Sequence, residues 1–235
     1  MTALFRLLWV AEMISPMGMH APSSTRKVIV KSAWSISMLT LYATIYGVAR
    51  LCTLTWVVRQ DVRPPLEGGV RHSGSPFWLL LNDADFDGVF TEFACQGMQC
   101  SAEHASFVTG HGGKLVWLSE LLGTAGAPSA TPSVCARFQD VLDSSPGKVF
   151  VSFDIDSIRS SDCPGVSCPA TIGLTADHAL RLCYLAGKHP RVAMVDVSEM
   201  NPAVEGYRTP RLVAFMLYHF LLGLSQRAKK GREPK

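Results

Sequence analysis

Val149-Phe150-Val151-Ser152-Phe153-Asp154-Ile155-Asp156 is the stretch that decides the fold. Its first five residues are apolar apart from Ser152, too few for a helix, and preceded by Pro146-Gly147, so they read as a strand buried in a parallel sheet. In open α/β sheets, ligands collect beyond the carboxyl ends of the strands, which is where Asp154 and Asp156 fall. Residues two apart share one face of a strand, so the two carboxylates are expected to converge on one ion or to bridge a pair. The competing reading of a bare Asp-x-Asp is that one carboxylate caps the following turn and the other is solvated.

Working outward, Thr175 is expected to cap a helix that carries Asp177 in its first turn and stops at Gly187. Val192 to Val197 reads as a second apolar strand, with Ser198-Glu199-Met200-Asn201-Pro202 leaving its carboxyl end. Thr209-Pro210 gives the cap and first turn of a last helix, whose apolar face is Leu212, Val213, Phe215, Met216, Phe220 and Leu221. Upstream, Pro76 to Leu81 and Leu115 to Leu122 are apolar segments, and Gly123 to Ser133 is a loop by composition. Asp61-Val62-Arg63-Pro64-Pro65 ends the apolar run Leu54 to Val58, and Glu67-Gly68-Gly69 leads into Arg71-His72-Ser73-Gly74. Strands alternating with helices predict a parallel sheet, with Asp61, Asp154 and Glu199 at strand ends.

Composition narrows the function classes. A chain of 235 residues accommodates one large α/β domain. The formal charge of +3 comes partly from the tail Arg227 to Lys235, so no nucleic-acid footprint is expected. Seven cysteines with no Cys-x-x-Cys pair argue against a disulfide framework or a structural zinc site, and reduced thiols in a cytoplasmic protein are the expectation. Charge is uneven: the first sixty residues hold one acid, Glu12, against six Lys or Arg. Within them, Ala33 to Ala49 is an apolar run of 17 residues, short for a membrane span and diluted by Ser35, Ser37, Thr40 and Thr44. Met1 to Val10 is apolar around Arg6, with no small-residue cleavage site after it. Neither a membrane anchor nor a secretory leader is expected.

Several of these segments share a further likeness. Ser152-Phe153-Asp154-Ile155-Asp156, then Cys163-Pro164-Gly165-Val166-Ser167-Cys168-Pro169 and Gly173-Leu174-Thr175, resemble a metal motif of the arginase/agmatinase/formimidoylglutamase (ureohydrolase) superfamily. Ser198-Glu199-Met200-Asn201-Pro202 resembles its Glu-x-Asn-Pro segment, and Asp61-Val62-Arg63-Pro64 with His72-Ser73-Gly74 resembles the formimidoylglutamase-like branch. The resemblance spans residues 61–224. It implies a three-layer α/β/α fold on a mainly parallel sheet, and two manganese ions that lower the pKa of a shared water for attack on an amidine or guanidinium carbon. Four Asp and two His would hold them, donors that suit a hard cation.

Carried over by residue, the likeness makes Asp154 a ligand of both ions, Asp156 a ligand of one, and Asp61 the last ligand of an Asp-x-His-x-Asp motif. His72 would protonate the leaving amine, Glu199 would accept hydrogen bonds from the cationic amidine, and Ser73 would help bind the amino-acid end of the substrate. The implied reaction is formimidoylglutamate to glutamate plus formamide, with arginase- or agmatinase-like substrates as the variant. A homo-oligomer, trimer or hexamer, is also implied.

The likeness breaks upstream of Asp61. Val57 and Arg59 stand where that motif needs its other two ligands, and a guanidinium would bring a fixed positive charge toward a cation site. Counting forward from Arg26-Lys27-Val28-Ile29-Val30 puts Trp34 where a Gly-Gly-x-His motif would supply histidine. Three ligands of six are thus replaced, which opens a second reading: a metal-deficient member that serves as a binding or assembly subunit. Preserved spacing with altered chemistry points to a stretch read in a shifted frame, with local misfolding expected over residues 31–60. The organisation expected is therefore a divergent segment 1–60, a catalytic domain 61–224 and a basic tail 225–235.

Overall fold

Parallel pairing joins five strands: β1 (Leu51–Trp56), β2 (Phe90–Cys95), β3 (Lys114–Trp117), β4 (Lys148–Asp154) and β5 (Val192–Ser198). The computed structural model describes residues 51–56, 61–72, 74–84, 86–124 and 133–230, with backbone only for 51–56 and 228–230. The strand order is β3-β2-β1-β4-β5. From β1 the chain moves outward to β2 and β3, then returns to the other side for β4 and β5. The order therefore reverses between β1 and β4, and such a switch point opens a crevice at the carboxyl ends of the two strands. Asp154 ends β4 there, and Asp61 follows β1.

Helices cover both faces, as the three-layer expectation requires. On one face α4 (Val134–Ser144), α5 (Ala176–Lys188) and α6 (Arg208–Lys230) pack over Val149, Val151 and Phe153 of β4, through Phe138, Leu142, Leu182, Val213 and Met216. On the other, α1 (Pro76–Leu81) and α2 (Ala102–Gly110) sandwich Phe90 of β2 with Val62, Phe77 and Val108. Val149, Val151 and Phe153 are at most 1% exposed, which is why the run is continuously apolar: each of its faces meets a helix layer or a neighbouring chain segment. Full burial of one such side chain contributes about 1.5–3 kcal/mol.

Local chemistry explains the boundaries and corrects two of them. Thr175 does cap α5, in a capping box with His178. Gly187 does not stop α5, which continues to Lys188; a Cβ at Gly187 would strike the Phe220 carbonyl of α6, and one at Gly223 would strike the Tyr184 carbonyl of α5. These glycines mark a close helix crossing instead of an end. At α6, Glu205 is the cap: its carboxylate accepts from the amides of Tyr207 (2.9 Å), Arg208 (2.8 Å) and Thr209 (2.8 Å). The expected cap, Thr209, turns its hydroxyl to accept from the Gly165 amide (2.8 Å). Leu115 to Leu122 divides into β3 and the short helix α3 (Leu118–Leu121).

Among the described residues no helix is long and apolar enough to cross a membrane, and the six cysteines whose side chains are described form no disulfide. Ala33 to Ala49, Met1 to Val10, Trp34, Val57, Arg59 and Ser73 lie outside the described residues.

Candidate active site

The site forms where β4 and β5 run out side by side, with Asp154 in register with Ser198. After Asp154 the chain leaves the strand in a 3-10 turn, Ile155–Ser157. Asp156 is therefore not a strand residue, and the two carboxylates do not converge through strand periodicity. Asp154 Oδ1 instead accepts from the Asp156 amide (2.9 Å), and the Asp154 carbonyl accepts from the Ser157 hydroxyl (2.6 Å). Asp154 thus does both things considered for it: it caps the turn and it faces the acidic group described next.

Asp156, 5% exposed, is held by the loop that returns over it. Its Oδ1 accepts from the Cys168 amide (3.4 Å) and its Oδ2 from the Ser167 hydroxyl (3.2 Å). The same hydroxyl is bonded to Glu199 Oε2. Glu199 follows β5 directly with a backbone φ of +70°, a left-handed conformation that costs a non-glycine residue about 1 kcal/mol or more.

Electrostatics binds these residues into one site. Asp154 is pushed well above the usual carboxylate range, first by burial and then by the charges of Asp156, Glu199 and Asp61. Asp154 senses three other carboxylates, and the largest influences on it include no cationic side chain. The sign follows directly: a raised pKa means that the folded protein favours the protonated form, so stability falls as pH rises through the carboxylate range. A bound cation would reverse that cost.

The donor set fits a hard divalent cation in part. Carboxylate oxygens are suited to manganese, magnesium or calcium. Among the described residues, however, no three His, Cys, Asp or Glu side chains are gathered as a ready metal site. Asp156 and Asp61 lie close enough to Asp154 to push its pKa upward, yet Asp154 and Asp156 are each turned partly toward backbone amides. The imidazole half of a two-ion site is not supplied by the described residues.

His72 is committed elsewhere. Its Nδ1 accepts from the Gly74 amide (3.1 Å), so the proton sits on Nε2, which donates to the Pro64 carbonyl (3.0 Å). Its loop is fixed further by the Ser75 hydroxyl, which accepts from the His72 amide (2.9 Å). The sequence therefore located Asp154, Asp156, Asp61 and Glu199 at a common edge, and placed His72 in the adjoining loop without its local bonds.

Two further residues escaped notice. Ser167 links two carboxylates; it lay inside the quoted Cys163–Pro169 stretch but carried no charge to draw attention. Asp196, on β5 opposite Ser152, is raised to about 6 by burial, and the Ser152 hydroxyl bonds to it. An acid inside Val192–Val197 was the available sign. Register extends this line through position 55 of β1 to Glu92 of β2, with Ser152 and Asp196 each two residues inside their strand ends. Separately, a cleft lined by Thr91, Lys114, Arg137 and Asp140 lies on the α4 side and shares no residue with the carboxylates.

Comparison with known proteins agrees with this geometry. A formiminoglutamase of Trypanosoma cruzi solved with Mn2+ superposes with a TM-score of 0.73 at 38% identity, covering 88% of this chain and 74% of that one. The formimidoylglutamase of Bacillus subtilis is 25% identical over 78% of this chain and 57% of its own, and that of Geobacillus thermodenitrificans is 30% identical over 74% and 52%. The chain thus spans about half the length of the curated relatives it matches. The family model for arginases matches residues 62–223, so the segment bearing Asp154, Asp156 and Glu199 is arginase-family sequence on an arginase-family sheet, and the chain belongs to the arginase family.

Proposed function

We propose that this chain cleaves a carbon-nitrogen bond of a linear amidine, formimidoylglutamate, to give glutamate and formamide. The observation that carries the reading is the convergence of Asp154, Asp156, Asp61 and Glu199 at the switch point of a parallel sheet, where a cationic ligand relieves their mutual repulsion. Relatives named for formimidoylglutamate hydrolysis support the substrate class, and the Mn2+-bound relative supports the metal. Two divalent cations, when bound, activate water at neutral pH and offset charge developing at the attacked carbon.

The chain's own residues have separable tasks. Asp154, Asp156 and Asp61 supply oxygen ligands. Glu199 accepts from the amidinium N–H groups, a charge-assisted contact that aligns a planar cation edge-on. The departing amine needs a proton, and the Nε2–H of His72 can supply it only after leaving the Pro64 carbonyl. Engagement of the substrate must therefore exchange a loop hydrogen bond for a ligand bond. Ser73 is assigned to the amino-acid end of the substrate. A small-molecule substrate, a cytoplasmic location and a trimeric or hexameric assembly complete this reading.

A second reading rests on the sequence: Trp34, Val57 and Arg59 stand at ligand positions of the motif. On that reading the chain binds amidines without turning them over. Metal analysis of purified protein with an assay of formimidoylglutamate hydrolysis separates the two. Near-stoichiometric manganese, with turnover abolished by Asp154→Ala, supports the hydrolase. Amidine binding with neither manganese nor turnover leaves the binding subunit. Sequencing the coding region tests the shifted frame, which fails if neither alternative frame encodes Gly-Gly-x-His or Asp-x-His-x-Asp.

A further inference from the structure

We infer that Ser167 is a positioning residue that fixes the orientation of the Glu199 carboxylate by tethering it to Asp156. The inference rests on the amidine-binding reading of Glu199 and names the residue that aims it. Ser167 Oγ lies 3.2 Å from Asp156 Oδ2 and is also bonded to Glu199 Oε2. One hydroxyl therefore joins the turn after β4, 11 residues before it in sequence, to the segment after β5, 32 residues beyond it.

The backbone around Ser167 is placed by contacts that do not use its side chain. On one side Val166 pairs in an antiparallel bridge with Met200, the residue after Glu199, and the Gly165 carbonyl accepts from the Asn201 amide (2.7 Å). A Cβ at Gly165 would meet the Glu205 carbonyl at 2.6 Å, so glycine is what lets the loop lie this near α6. On the other side Ala170 bridges Arg159, and its carbonyl accepts from the Ser160 amide (2.6 Å). The Ser167 hydroxyl is thus delivered to the carboxylates by a loop that stays in place without it.

What that hydroxyl does follows from its single hydrogen. It can donate to one carboxylate at a time, leaving the other open to a cation. With a cation on Asp156 the hydrogen turns to Glu199 Oε2, and Oε1 remains free for an amidinium. Glutamate has three rotatable bonds, and a carboxylate that must meet two parallel N–H donors gains from losing that freedom before the ligand arrives. Ser167 is exposed, so the tether stands at the mouth of the site and not in its floor.

The test is calorimetric or NMR titration of acetamidinium, an amidine with no amino-acid end, into wild type, Ser167→Ala, Ser167→Thr and Glu199→Gln, with neutral acetamide as control. Ser167→Ala is expected to weaken acetamidinium about tenfold, the worth of one hydrogen bond to a charged group. Acetamide binding and melting temperature should be unchanged, and Ser167→Thr should restore most of the loss. If Glu199→Gln abolishes binding while Ser167→Ala leaves it intact, the tether is wrong and the role of Glu199 stands. A Ser167→Thr variant as weak as Ser167→Ala, with both melting early, makes the contact merely structural and overturns the inference. Binding by Glu199→Gln equal to wild type, or none by wild type, overturns both readings.

Discussion

The two ends of the sheet are built on opposite electrical plans. At the carboxyl end, Asp154 is surrounded by the carboxylates of Asp156, Glu199 and Asp61. At the amino end, acids and bases interlock: His189 Nε2 meets Asp143 Oδ1 at 3.1 Å, Arg191 donates to the Asp143 carbonyl (2.6 Å) and to the Ser145 carbonyl, and Arg227 donates to the carbonyls of His189 and Val192, each at 2.9 Å. One end ties α4, α5, β5 and α6 together, and the other leaves like charges for a ligand to resolve.

The comparison breaks first at the helix crossing beside the amino end. Gly187→Val places atoms into the Phe220 carbonyl, and neither backbone can yield without parting α5 from α6. We expect a loss of about 3 kcal/mol or more and a melting temperature lower by about 10 °C, read by thermal denaturation. A variant melting with wild type would mean that the crossing is loose.

At the other end the sign inverts. Asp154→Asn keeps the acceptor for the Asp156 amide and removes one buried like charge, so without divalent ions it should raise the melting temperature at pH 8. The gain should shrink as pH falls, because the raised pKa of Asp154 lets wild type relieve the repulsion by taking up a proton. Adding Mn2+ should stabilise wild type and not the variant. Equal melting curves at every pH would show the carboxylates to be independent.

The smallest effect is an acid slope at the amino end. His189 is held below its ordinary value of 6.5, chiefly by burial and further by Arg191 and Arg227, against the opposing pull of Asp143. A depressed histidine contributes stability in full above that value, and the contribution fades as pH falls below 6.5. Asp143, itself lowered by its bond from Gln139, titrates below 3.8 and stays out of this window. Melting temperatures from pH 7.5 to 5 should fall more steeply for wild type than for His189→Gln.

How much of this was legible in the sequence depended on where the information lay. β4, β5, α5 and α6 could be read because their apolar runs and caps are local, and the acids at their ends followed from topology. β2 could not: Phe90-Thr91-Glu92-Phe93-Ala94-Cys95 contains a fully buried glutamate and a left-handed Ala94 at a shift in strand register, so no simple period survives. Gly187 looked like a helix stop because the neighbour that requires it lies over thirty residues away. Asp156 was read as a strand residue sharing a face with Asp154, whereas it lies in a 3-10 turn whose start is capped by the Asp154 side chain. Ser167 was overlooked because a neutral hydroxyl announces its role only through its partners.

The left-handed backbone at Glu199 puts folding and chemistry on opposing sides of a single residue. Glycine would occupy that φ of +70° without strain, so Glu199→Gly should leave the chain as stable as wild type or more so while removing the carboxylate proposed to accept from an amidine. A sequence drifting under selection for folding alone has an easy improvement available there, one codon away from a calmer backbone. The strain at this strand end is thus carried by the same side chain that the proposed amidine contact requires.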